Sequence, residues 1–349
     1  MRFLKKHRPV DGWLALAHSG DGVHAAVVER AGAGLPQVRA AAWFDSAASG
    51  EALERVGKQM RAGQVRPTCL LGAGEYQLLA LEAPAVPPDE LKAAVRWMLK
   101  DMLDYPVDDA TIDVLTVPAE KSGSQRSSMF AVAARNSVIE ARQRLFTAAR
   151  LALAVIDIPE LAQRNIAALL EVPGRGLAML SFGADGCLLT VTFDGELLLA
   201  RRLEVALADL LADGVAGAGD VAGGDDGDDD HGNERGGGSE GGAGAADDAS
   251  TAAGGGARAH LAFDKLTLLL QRSLDHFERQ FHTIALSRLV LAPSAIKGLA
   301  AYLGSNLYTP VHALDLHEVF DLARAPLLLE LAEQQRFFLT LGAALRQER

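Results

Sequence analysis

Two stretches of this chain follow the same plan. LALAHSGDGVHAAVV (residues 14–28) and LAMLSFGADGCLLTV (177–191) each run from an apolar strand through a Gly-rich turn into a second apolar strand. A third strand follows in both cases, over about 36–44 and 196–203, with Asp194-Gly195 a strong signal for a tight hairpin in the second unit. A three-stranded meander written twice, about 160 residues apart, predicts two lobes built alike. Between and after the meanders come helical patterns, so the chain reads as a layered α/β protein.

The helices are set by periodicity and end signals. Pro88, Asp89 and Glu90 open one, Leu91, Val95, Met98 and Met102 recur along it, and Tyr105-Pro106 stops it. Ser137 and Glu140 have capping-box spacing ahead of a second helix. A third covers about 264–281 with Leu266, Leu270, Leu274, Phe277 and Phe281 on one face, and a last one about 333–346. Short strands are expected near 111–117, 128–134 and 154–158.

Charge narrows the function classes. The formal net charge is −11, but residues 213–258 alone hold nine Asp and two Glu against Arg235 and Arg258. The rest of the chain is nearly neutral, which argues against a nucleic-acid partner. That acidic Gly/Asp-rich stretch has no aromatic residue and reads as a disordered insertion. It lacks the ligand spacing of a calcium loop. Only Cys69 and Cys187 are present, which fits a reducing, cytoplasmic setting without disulfides. No apolar run reaches the ~20 residues of a membrane span. The N-terminal MRFLKKHRP surrounds Phe3 and Leu4 with Arg2, Lys5, Lys6 and Arg8, either a solvated end or a weak contact for anionic lipid. No Walker A run, nucleophile elbow or HExxH is found, and His276 and His282 are spaced wrongly for a metal pair on one helix. No catalytic or metal-ligating residue is assigned.

Five further segments, taken in order, carry a resemblance. They are VRWMLKDMLDYPVDDATIDVLTVP (95–118), LALAVIDIPELAQRNIAALL (151–170), LLLQRSLDHFERQF (268–281), LVLAPSAIKGLAAYLGSNLYTPV (289–311) and RFFLTLGAALR (336–346). Together they resemble the PilM family of actin-like type IV pilus assembly proteins, and within it the branch that serves MSHA biogenesis. The resemblance covers most of the chain outside the acidic insertion. It implies an actin-like, duplicated ribonuclease H-like fold of two lobes with a small inserted subdomain. Residues 1–172 would form the first lobe, with the subdomain at about 68–135. Residues 173–332 would form the second, and 333–349 a helix returning to the first.

The resemblance also implies a nucleotide cleft, at Ser19 and Gly20, at Gly183 and at Ser294. Each place departs from the family pattern. Ala17 or His18 stands where an Asp is expected, Ser181 where a second is expected, and Ala292-Pro293-Ser294 replaces paired glycines. Asp21 and Asp185, beyond the two turns, have turn stabilisation as their ordinary role. The expectation is a degenerate cleft that has lost ATP hydrolysis and tight binding of ATP and Mg²⁺, hence no cofactor and no enzyme activity. The family role is then a cytoplasmic scaffold, peripheral to the inner membrane. It would bind the N-terminal cytoplasmic peptide of a bitopic, PilN-like pilus protein, and also meet the assembly ATPase or platform protein. Arg96, Trp97, Tyr105 and Met129 are the candidate partner-binding residues. For Trp97 the competing reading is core packing, and for Arg96 plain solvation. The alternatives are a working actin-like ATPase in pilus or type II secretion assembly, and the cytoplasmic half of a secretion component. That last relative continues into a membrane span, which the sequence here does not show.

Overall fold

Alternation decides the layering. In the computed structural model, which describes residues 12–20, 22–30, 32, 34–45, 49–117, 128–183, 186–211 and 247–347, strand β1 (Gly12–Ser19) sends Leu14 and Leu16 to one face and Trp13 and Ala15 to the other. Both faces are buried over residues 12–16, so β1 is apolar there, and it turns polar at His18 and Ser19 as it leaves the core. It pairs antiparallel with β2 (Gly22–Glu29), which pairs with β3 (Gln37–Asp45). On its other side β1 runs parallel to β4 (Arg66–Leu70), and β4 to β8 (Val155–Asp157). The sheet order is β3-β2-β1-β4-β8.

The second sheet repeats this order. β9 (Gly176–Gly183), β10 (Gly186–Phe193) and β11 (Glu196–Leu203) form the meander, and β12 (Leu286–Leu291) and β13 (Val311–Ala313) add in parallel, giving β11-β10-β9-β12-β13. Asp194 and Gly195 both take positive φ, 57° and 74°, as a hairpin turn that follows the twist of its strands requires. Two sheets with one strand order and a shared meander-then-parallel plan make the duplicated, actin-like fold that the resemblance implies.

Helices fill the spaces around the sheets. α1 (Ser49–Gln59) and α3 (Asn136–Ala148) cover the outer face of the first sheet through Leu53, Val56 and Phe146. α6 (Asp247–Gln280) and α7 (Leu299–Asn306) cover the outer face of the second through Leu266, Leu270, Phe277 and Leu303. Between the sheets lie α4 (Pro159–Ala167) and α8 (Leu331–Ala344), with Ala162, Ile166, Phe337 and Leu341 in one cluster with Ala15 and Met179. α5 (Leu207–Leu211) is a short turn leading out of β11.

Between β4 and α3 the chain builds a separate three-stranded sheet. Its order is β5-β7-β6, from β5 (Tyr76–Glu82), β6 (Ala110–Thr116) and β7 (Ser128–Arg135). α2 (Leu91–Leu99) covers one face, packing Val95 and Leu99 on Met129, Ala131 and Ala133. On the other face Phe130, with nearby Val117, joins the core of the second lobe. The inserted unit therefore touches both lobes.

Some expectations change. Residues 68–70, assigned above to the subdomain, belong to β4 of the first sheet, so the insertion opens after Leu70. Pro88 does not open a helix: 88–90 form a turn and α2 starts at Leu91, ending at Leu99 with Met102 beyond it. Ser137 is not an N-cap. Arg135 holds that position in extended conformation, with no side-chain cap, and Glu140 pairs with Arg144 instead. The composition predicts disorder to residue 258, whereas α6 begins at Asp247. Its sequence there, DDASTAAGGGARAHL, combines alanines, the strongest helix formers, with three glycines that oppose a helix, and it runs on into the apolar-faced stretch from Leu261 that packs on the second sheet. Residues 213–246, the N-terminal MRFLKKHRP, Asp21 and Asp185 lie outside the described residues.

Gly342 fixes how closely the central helices meet. A Cβ there would stand 2.2 Å from the Ala162 carbonyl oxygen, and the Gly342 carbonyl accepts from Asn165 Nδ2 at 2.9 Å. Because the clash is with backbone, it cannot be relieved by a rotamer change. Gly342→Ala is expected to cost about 3 kcal/mol or more in chemical denaturation. Gly304→Ala, in α7 with open space around it, is expected to gain roughly 0.5–1 kcal/mol.

Candidate functional site: the cleft edge and an apolar groove

In open α/β sheets ligands bind beyond the carboxyl ends of the strands. Ser19 and Gly20 stand there, exposed, at the end of β1, Gly183 at the end of β9, and Ser294 just past β12. The groups around them are already occupied. Ser181 is buried, and its hydroxyl donates to Gln163 Oε1 at 2.5 Å. Gln163 Nε2 donates to the Met179 and Leu188 carbonyls and to Thr190 Oγ1. Pro293 has no N–H to offer, and the Ala295 N–H that follows it is turned to Gln335 Oε1 at 3.3 Å.

Carboxylates do stand at this edge, and each is held by an arginine. Glu75 binds Arg142 at 2.5 Å and accepts the Gly72 N–H at 2.7 Å. Asp157, buried at the end of β8, binds Arg346 of the C-terminal segment at 2.7 Å and accepts the Ile158 N–H. Glu160, buried in the first turn of α4, accepts from the Tyr76 hydroxyl and binds Arg202 at 3.2 Å. Burial raises the Glu75 carboxyl, but the Arg142 hydrogen bond and charge and the Gly72 N–H hold it below the usual range. Burial first, and the proximity of Glu160, push the Tyr76 hydroxyl up, so it remains a donor. The Tyr76–Glu160–Arg202 set joins the inserted sheet, the linking helix and the second lobe across the cleft.

His18 is, with Ala17, one of the two residues at the place where the resemblance implies a metal-holding carboxylate. Both its ring nitrogens are buried without a hydrogen-bond partner. Burial, with the Arg142 charge adding to it and Glu75 opposing, lowers its pKa to about 4, so the ring is neutral at pH 7. A neutral imidazole beside a guanidinium, three neutralised carboxylates and a buried serine do not fit a Mg²⁺–triphosphate, which needs open negative charge for the metal.

The four expected partner-binding residues differ in their exposure and contacts. Met129 is fully buried on the α2 face of the inserted sheet, so it is core. Tyr105 is buried too, with the Arg135 guanidinium 4.1 Å from its ring. Arg96 reaches the Ala110 carbonyl at 3.3 Å and Asp108 at 3.5 Å, so it is neither free nor merely solvated. Trp97 is 80% exposed, which rules out core packing.

A groove lies on the opposite face of that sheet. It has a volume of about 310 Å³ and runs between the inserted sheet, α3 and β8. Val132 and Ala134 of β7, Ile139 of α3, and Val155, Ile156 and Ile158 around β8 give it an apolar lining, with Thr111 and Asp113 of β6 and Gln143 at its polar margin. Among the described residues β8 pairs only with β4, and β6 only with β7, so both strands flanking the groove keep an open edge. The sequence places β6, β7 and β8 nearly at their residues, but a period-2 strand has two faces. Nothing local shows which one α2 covers. No helix among the described residues is long and apolar enough to cross a membrane.

The fold agrees with what the chain is similar to. Residues 48–206, which contain the insertion, α3 and α4, match the family model described as type IV pilus assembly protein PilM. The structure is similar to that of a PilM–PilN type IV pilus biogenesis complex, with a TM-score of 0.68 and 19% identity over 97% of this chain and 98% of that one. Lower similarity is found to the cytoplasmic domain of EpsL, an inner membrane component of the type II secretion system of Vibrio cholerae (TM-score 0.40, 17% identity, 58% and 74% covered). It is found also to ADP-bound MreB5 of Spiroplasma citri (0.41, 9%, 95% and 96%). No curated protein sequence matches.

His18 gives a pH signature. Between pH 6.5 and pH 4 the unfolded chain takes up a proton at this ring that the folded chain refuses. Stability therefore falls as pH is lowered through that window, by up to roughly 3 kcal/mol. His18→Leu is expected to keep stability at pH 7 and to flatten the loss between pH 6.5 and 4, read by urea denaturation at each pH. Parallel curves for the two proteins would contradict it.

Proposed function

We propose that this chain is a PilM-like component of type IV pilus assembly that binds an extended segment of a PilN-like inner-membrane partner and does not turn over ATP. The carrying observation is the apolar groove with an open strand edge on each side. A peptide laid there adds to a sheet through main-chain hydrogen bonds, while alternate side chains enter the apolar floor. The match of residues 48–206 to the PilM model, and the fold shared with a structure whose other component is PilN, support this reading. The protein then works as a cytoplasmic scaffold, held at the inner membrane through its partner and open to a further contact with the assembly ATPase or platform. On the sequence resemblance, the machine is of the MSHA type and the protein MshI-like.

The absence of turnover is argued from the cleft edge. An incoming triphosphate meets arginines already spent on Glu75, Asp157 and Glu160, and a metal meets no free carboxylate among them.

Calorimetric titration with the N-terminal cytoplasmic peptide of the PilN-like protein tests the reading. Ala154 is exposed at the groove, and Ala154→Trp would fill it without entering the core. The expected result is saturable binding by the unaltered chain, weakened at least about tenfold by Ala154→Trp with unchanged melting. Mg-ATP is expected to give no saturable heat and no phosphate release. Peptide binding unaffected by Ala154→Trp, or measurable ATP turnover, would overturn it.

A further inference from the structure

The end of the first lobe opposite the cleft carries cations that neither the cleft nor the groove uses. Strands β1, β4 and β8 are parallel, so their N-terminal ends lie together, and the C-terminal ends of α1 and α3 lead into two of them. Residues 58–66 and 147–154 make up this end. They contain Lys58, Arg61, Arg66 and Arg150, all exposed, and no Asp or Glu. Lys58 and Arg150 line a cavity of about 630 Å³, with Glu54 the one acidic residue on its wall. A Cβ at Gly12 would lie 3.7 Å from Val65 of the same cavity and 3.1 Å from Glu29, an acid beside this end that is already paired with Arg39.

Two of these cations sit on costly backbone. Arg61 has φ 51° and Arg150 φ 56°, each just past a helix C-terminus, where a left-handed residue is usually Gly. A helix C-terminus favours a cation, but α1 already has Lys58 in its last turn on ordinary helical backbone. At Arg61, complementing the helix dipole therefore does not require arginine on strained backbone, whereas α3 has no basic residue in its last turn and Arg150 also serves that helix end. What the two positions gain over Gly is an exposed guanidinium on a common face.

We infer that this face docks on an anionic lipid bilayer. Each cation held near such a surface strengthens binding about fivefold. The cavity between Lys58 and Arg150 gives a lipid headgroup a place to enter. Residues 148–152 line this cavity and 153–156 continue into the groove, so the groove opens beside the bilayer-facing end. The inference stands without the groove reading, and its test uses no peptide, so the two fail separately.

The test is flotation of the full chain with vesicles of equal parts phosphatidylglycerol and phosphatidylcholine, against phosphatidylcholine alone. The chain is expected to float with the anionic vesicles only, and less so as salt is raised. The double variant Arg61→Gly/Arg150→Gly is expected to lose at least tenfold in partitioning while its melting temperature holds or rises, because Gly suits the left-handed backbone. Arg61→Lys/Arg150→Lys is expected to retain flotation. Flotation with neutral vesicles, no flotation at low salt, or a Gly double variant that floats like the unaltered chain would overturn the inference. So would a Gly variant that melts lower, since the arginines would then be structural.

Discussion

Helix α4 has to satisfy two sheets at once, and much of the molecule follows from that. Its residues Ala162 and Ile166 pack between the sheets, and its Gln163 is consumed by carbonyls and hydroxyls of the second sheet. Gly342 then allows α8 within backbone contact of the same helix. A helix so placed has no free polar group to give a ligand. Ser181, which points at Gln163, is removed from the cleft by the same packing.

The arginines complete that closure. Asp157 leads into α4 and Glu160 lies in its first turn, so the helix N-terminus carries two buried carboxylates, which the dipole favours. Each must also be paired to be tolerated in the interior, and the partners come from far along the chain: Arg346 from the C-terminal segment and Arg202 from β11. The pairs tie the C-terminal segment to β8 and the second lobe to the inserted sheet. An edge that in an open cleft would meet a ligand is spent on joining the parts of the molecule. On the proposals made above, partners meet the molecule elsewhere, at the groove beside the inserted sheet and at the basic end of the first lobe.

Much of this architecture is legible in the sequence because it rests on local patterns. The two meanders, the Asp194-Gly195 turn, and the strands near 111, 128 and 154 follow from alternation and turn chemistry, and the duplicated order follows from the meanders. Ser19, Gly20, Gly183 and Ser294 can be located at or just past strand ends from the sequence, and Ser181 with Ala17 or His18 are the departures from the family pattern. The groove was not legible, because it depends on which face of β7 meets α2. Met129 and Val132 are both apolar and three residues apart, and only tertiary packing assigns one to the core and the other to the groove. Trp97 misleads for the reverse reason, since a large aromatic residue within an apolar helix reads as core and is exposed. The pairing of Asp157 with Arg346 spans 189 residues, and no local rule reaches that far.

The central claim is that ligand recognition has moved from the cleft to the groove. Hydrogen–deuterium exchange of the chain, alone, with Mg-ATP and with the partner's N-terminal peptide, measures both places in one experiment. The account predicts that the peptide slows exchange in β6 and β8 and that Mg-ATP leaves the turns at Gly20, Gly183 and Ser294 unchanged. Protection of those turns by Mg-ATP, with β6 and β8 indifferent to the peptide, would contradict it.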